Sequence, residues 1–142
     1  MMAREYETGR SLVASLDFGT EITEGILSLA EMEGVDMAAV SAIGALSRAE
    51  IGYYDQTSHQ YRTTRIDRPV ELVSCTGNLS MRDGSRALHL HAVLGDDRYH
   101  LLGGHLQRGE VFAAEVHLLE HMGQPLSRSH DPATDLYLWR DR

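Results

Sequence analysis

A chain of 142 residues with 42% hydrophobic and 24% charged side chains is sized for a single domain, 1–142, that buries a core without disulfide or metal staples. Its 13 basic against 21 acidic residues leave a formal charge of −8, which works against non-specific affinity for nucleic-acid phosphates. No apolar run approaches the roughly 20 residues of a membrane span, the start MMAREYETGR lacks the apolar stretch of a secretory leader, and the single cysteine, Cys75, sits in an apolar strand pattern as a buried inert thiol, so the expected address is cytoplasmic.

Residues 10–18 place Leu12, Ala14 and Leu16 on one face and predict a first strand ended by Gly19. Thr20 is the expected N-cap of a helix to about Glu33, with Glu21 and Glu24 in its first turn and Ile22, Ile26, Leu29 and Ala30 on one buried stripe. Gly34 is its stop. From Val35 the period becomes two. Strands are predicted over 39–46 and 47–55, joined or kinked near Gly44, then over 60–66, and after a break at Asp67-Arg68-Pro69 along ELVSCTGNLS. Asp83-Gly84 is a hairpin signal leading into LHLHAVLGDDRYHLLGGHL, residues 88–106. Residues 111–120 form another alternating run, with Phe112, Ala114, Val116 and Leu118 on one face and Glu115 and His117 on the other. Residues 123–134 read as a polar loop before a last strand over 135–140. Many antiparallel strands with one early helix define an α+β domain, the single helix packed on a strongly bent, largely antiparallel sheet or open barrel.

The stretch 88–106 holds four of the eight histidines. His89 and His91 alternate with Leu88 and Leu90, so on a strand both imidazoles share one face. A hairpin with an odd loop, pairing Gly95 with Tyr99, sets His89 opposite His105 and His91 opposite Gly103, and leaves Leu88, Leu90, Leu94, Leu102 and Leu106 on the other face. A two-residue loop would turn His105 away. Three histidines converging with a position left open form a catalytic-type metal site, because zinc and similar divalent ions take nitrogen ligands at about 2 Å. The same pattern is also that of a hydrogen-bonded polar sheet face. Glu115 is the carboxylate placed nearest, as a fourth ligand, a hydrogen-bond partner of a ligand or a general acid-base. His100 falls to the leucine side of the hairpin, and His59, His117, His121 and His130 are expected outside the site. Arg62, Arg65 and Arg68 are the densest basic run, but no helix-turn-helix or zinc-finger pattern accompanies them.

AIGALSRAEIGYYD (42–55), ELVSCTGNLS (71–80), the histidine block and EVHLLE (115–120) together resemble the plant- and prokaryote-conserved domain, PPC, over most of residues 10–121. The resemblance implies one helix against a bent antiparallel sheet, assembly as a homotrimer, and the DNA-binding description common for prokaryotic members. The AT-hook core R-G-R-P of plant members does not occur in these residues. The fold is also similar to that of acetolactate decarboxylase, whose zinc is held by an H-x-H pair and a later histidine. That pattern matches His89, His91 and His105, and implies zinc or another divalent metal at those positions. Two functions follow as expectations: a metal-binding regulatory or DNA-associated protein, or a zinc-dependent lyase or hydrolase acting on a small acid with Glu115 moving protons. DNA, a small-molecule ligand and further copies of the chain are the candidate partners.

Overall fold

In residues 2–140, which the computed structural model describes, eight strands and one helix follow in the order β1 (Glu7–Leu16), α1 (Ile22–Glu33), β2 (Ala38–Asp55), β3 (Gln60–Ile66), β4 (Val70–Arg82), β5 (Ser85–Gly95), β6 (Leu101–Met122), β7 (Ser127–Asp131) and β8 (Leu136–Trp139). All eight strands join one sheet, antiparallel except where β4 and β7 run parallel. The class is α+β, as the sequence pattern predicts.

β6, at 22 residues, would extend about 70 Å if straight, whereas a domain of this length has a radius of gyration of about 14 Å. It therefore has to bend. Extra residues inserted into the β2–β6 ladder supply the bends, Gln107 and Phe112 on β6 and Ser47 on β2. The two strands predicted over 39–46 and 47–55 are thus one strand kinked at Gly44, whose φ is 148°. A Cβ at Gly44 would lie 2.1 Å from the Ala113 carbonyl oxygen, so the close approach of β2 to β6 requires glycine there. The second arm of the predicted histidine hairpin, beginning at Tyr99, and the run predicted at 111–120 are likewise one strand, β6. Phe112, expected inward beside Ala114, is the bulge residue and points out, 62% exposed.

β2 pairs with β6, β6 with β5, β5 with β4, and β4 returns to β2. This cycle encloses Leu46, Leu72, Leu79, Leu90, Leu94, Val111, Val116 and Leu118, each 0–1% exposed. The helix packs against β5 and β6 through the fully buried Ile22, Ile26 and Ala30. Each such aliphatic side chain contributes about 1.5–3 kcal/mol on leaving water. The helix cap is Glu21 rather than the expected Thr20. One Glu21 carboxylate oxygen accepts from the Glu24 N–H and the other from the Gly109 N–H, both at 3.0 Å, so this cap also ties the helix to β6. Gly34 closes the helix in the left-handed conformation, as its position predicts. β7 lies inside the stretch expected to be polar loop, where it pairs with β8 and, through Ser127 and Arg128, with the end of β4. No helix of the described residues is long and apolar enough to cross a membrane.

Candidate metal centre

The β5–β6 hairpin turns at Asp96, whose carboxylate accepts from the backbone N–H groups of Arg98 and His100, each at 2.9 Å. Strand pairing resumes at Gly95 opposite Leu101, a five-residue loop in place of the predicted three. The shift is by two residues and preserves parity. The face assignment therefore holds while the partners change: His91, not His89, lies opposite His105, and Gly103 lies opposite Val93. His89 sits one full repeat along β5, paired with Asn78 of β4. A backbone-only residue, Gly77, lets β4 approach there, since a Cβ on it would lie 1.9 Å from the His89 carbonyl oxygen. Leu90 between the histidines is 1% exposed and anchors β5 in the core.

One ring nitrogen from each of His89, His91 and His105 lies within 4.8 Å of the other two. The Nε2 atoms of His89 and His91 are 3.3 Å apart, close to the separation of about 3.3 Å that two nitrogens keep on a tetrahedral zinc at 2.0–2.1 Å. The Nδ1 of His105 is buried and has no hydrogen-bond partner, an orphaned polar atom that a metal or a further ligand would satisfy. The Tyr61 ring of β3 packs against His105, tilted by 42° with the centroids 5.3 Å apart. Burial pushes the His89 imidazolium down to about 4, helped by the charges of Arg128, His105 and His91; burial first, then His91, also lowers His105. Both rings are thus neutral at neutral pH and present lone pairs, which is the state a metal requires. His91 is the exposed member and opens the cluster to solvent.

Arg128 of β7 is the site residue that sequence reasoning misses. The residue is 9% exposed, and its guanidinium donates to Ser80 Oγ at 3.1 Å, Asn78 Oδ1 at 2.7 Å and the Tyr137 carbonyl at 3.1 Å. With His89, His105, Tyr61 and Arg82 it lines a cavity of about 330 Å³. The alternation of SRSHD and LYLW around a Pro-containing turn is the signal that could have exposed this hairpin.

The other candidates fall elsewhere. Glu115 is exposed on β6 opposite Ser15 and Ile43, ten residues from His105 and on the order of 30 Å away along the strand, so within one chain it is no partner of the cluster. His117 is exposed opposite Val13, and His121 lies beside Tyr6. His130 is bonded to Asp135. His59 stacks on Tyr54 in the β2–β3 turn, and His100 sits in the β5–β6 loop against Asp96 rather than on the leucine face. Leu102, assigned to that face, is 46% exposed. Arg62, Arg65 and Arg68 face Asp55, Glu50 and Asp96 respectively. Cys75 is 1% exposed, and burial lifts its thiol to about 11, in keeping with an inert side chain.

Comparison with known proteins accords with this geometry. A metal-containing protein from Archaeoglobus fulgidus superposes with a TM-score of 0.96 at 39% identity, covering 99% of this chain and 100% of that one. A plant- and prokaryote-conserved protein from Pyrococcus horikoshii gives 0.93 at 32% identity, covering 100% and 99%. A candidate DNA-binding protein from Ralstonia eutropha gives 0.81 at 25%, covering 92% and 90%. A Staphylococcus aureus protein similar to α-acetolactate decarboxylase shares the fold alone, at 12% identity, a TM-score of 0.53 and coverage of 82% and 53%. Curated relatives are the bifunctional protein GlmU of two Synechococcus strains, 32% and 34% identical over 119 and 97 residues; this chain spans only 18% and 14% of their lengths. The family model for the Plants and Prokaryotes Conserved (PCC) domain matches residues 3–122, and the chain belongs to that family.

Proposed function

We propose that this PCC domain holds one zinc ion through His89, His91 and His105. The observation that carries the reading is the convergence of three imidazoles on one face, with the buried Nδ1 of His105 left without any other partner. The metal-containing A. fulgidus protein, similar along the full length, supports it. Zinc bound there would supply Lewis acidity; the chain supplies three ligands and an approach past the exposed His91. Metal analysis of protein prepared without chelator tests the reading. About one zinc per chain is expected, with loss on His89→Ala; substoichiometric zinc insensitive to that substitution overturns it.

The copies are proposed to associate as a trimer through an apolar surface. Val73, Tyr99, Leu101 and Phe112 are 51–91% exposed and line one groove, and Phe18 packs edge-on against Phe112. A buried free thiol fits a reducing, cytoplasmic setting. A second reading, a zinc-dependent lyase or hydrolase acting on a small acid, is favoured by the cavity beside His89 and His105. DNA association draws on the description of neighbours such as the R. eutropha protein and not on this chain's surface, since the three arginines of the β3 region each face an acid and the net charge is −8. A gel shift at low salt decides it, with no shift expected.

A further inference from the structure

We propose that the cavity beside the histidine cluster binds small organic carboxylates, with Arg128 as the group that holds the carboxylate. An arginine that is 9% exposed ordinarily lies against a carboxylate, because an uncompensated charge largely withdrawn from water is disfavoured. Arg128 forms no ion pair among the described residues. Its three hydrogen bonds run to the neutral oxygens of Ser80, Asn78 and Tyr137 and use three of its five N–H donors. The acids nearby are already engaged. Asp131 takes Arg140 and the Thr134 hydroxyl, Asp135 takes His130 at 2.7 Å, and Asp83 faces Arg82 from the solvent side at 3.5 Å. Arg82 adds a second cation to the cavity, its guanidinium 3.3 Å above the Tyr137 ring.

Arg128 and Arg82 against the single carboxylate of Asp135, itself engaged by His130, leave the cavity lining with a net positive charge in a chain whose net charge is −8, and a divalent metal on His89 and His105 would add to that excess. An anion is the missing complement. One N–H on each terminal nitrogen of Arg128 is left over, a pair of donors that can serve a carboxylate, and Leu88, Leu136, Leu138 and the two tyrosine rings give the rest of the cavity apolar walls for a carbon skeleton. Inorganic phosphate has no carbon skeleton to cover those apolar walls, and that is what sets an organic acid apart from it here. The second contact of the bound acid rests on the zinc reading; the contact to Arg128 does not.

The test titrates L-lactate, its uncharged amide lactamide and inorganic phosphate into zinc-loaded and zinc-stripped protein. Calorimetry and the fluorescence of Trp139, the single tryptophan, which lies 5.0 Å from the Arg128 guanidinium, report binding. Saturable binding of lactate at least tenfold stronger than that of lactamide or phosphate is expected. Arg128→Met should weaken it at least tenfold with zinc content unchanged. Leu136→Trp, which fills the cavity from β8 and leaves Arg128 and the histidines in place, should do the same. If Arg128→Met fails to fold, the lactate-to-lactamide ratio and Leu136→Trp decide the matter. Equal binding of lactate and lactamide, tighter binding of phosphate, or undiminished lactate binding in a folded Arg128→Met or Leu136→Trp protein overturns the proposal. Lactate binding that depends on Arg128 in protein unable to retain zinc would overturn the zinc reading and leave this one standing.

Discussion

Replacing Gly77 with alanine separates two strands at the point where His89, the first of the proposed ligands, is held. The new Cβ would sit 1.9 Å from the carbonyl oxygen and 2.8 Å from the carbonyl carbon of His89, and 2.9 Å from the Cα of Leu90. All three neighbours are backbone atoms, so no side-chain rotation relieves the clash. Ordinary contact begins near 3.4 Å, which requires β4 and β5 to part by about 1.5 Å across the Gly77↔Leu90 pair. At that separation the ladder hydrogen bonds around the pair are lost in a buried setting, a cost of about 3 kcal/mol, equivalent to a fall in Tm of about 10 °C for a domain of this size. His89 moves with β5, and a displacement well beyond the roughly 0.5 Å tolerance of a preorganised site should weaken zinc at least about tenfold. Thermal melts of zinc-stripped protein by circular dichroism measure the first effect, and competition against a chromophoric chelator the second. A Tm within 2 °C of the parent, with unchanged zinc affinity, would refute the close approach of the two strands.

Stability of the zinc-stripped protein should depend on acid through His89. Its folded value of about 4 lies below the ordinary 6.5, so its contribution is full above pH 6.5 and lost as pH falls toward 4; discounted for partial solvent screening this is about 1 kcal/mol, and denaturant midpoints from pH 7 to 4.5 in parent and His89→Gln measure it. Leu90→Ala, on the core side of the same strand, should cost about 3 kcal/mol by cavity formation, read from denaturant unfolding. Cys75 should resist thiol reagents in native protein and react stoichiometrically once unfolded; rapid native labelling would contradict its burial. Phe112→Arg, on the apolar outer groove, should shift the proposed trimer toward monomer in analytical ultracentrifugation while leaving zinc content unchanged.

Face assignment was legible where period alone decides it. An alternating run fixes which side chains point together, so His89, His91 and His105 could be grouped before their partners were known. The register could not, because the Asp96 carboxylate caps a five-residue turn and moves every pair by two positions. Bulges hid other features: Phe112 obeys the alternation of 111–120 on paper, yet the extra residue at that position reverses its direction. Thr20 is the better intrinsic cap, but Glu21 wins by accepting from β6 as well as from the helix, a tertiary contact that no local rule contains. Arg128 escaped notice because β7 has five residues in a Pro-flanked polar stretch and gains its strand character from pairing with β8 and the end of β4. Glu115 shared an outward face with His117, as read, but the length of β6 carries it far from the histidines.

Zinc content measured by elemental analysis in parent and His105→Ala protein is the most direct test of the metal centre. Near one zinc per chain in the parent and less than a tenth of that in the variant is the expected result. Equal zinc in both, or none in a folded parent after zinc loading and desalting, would contradict it.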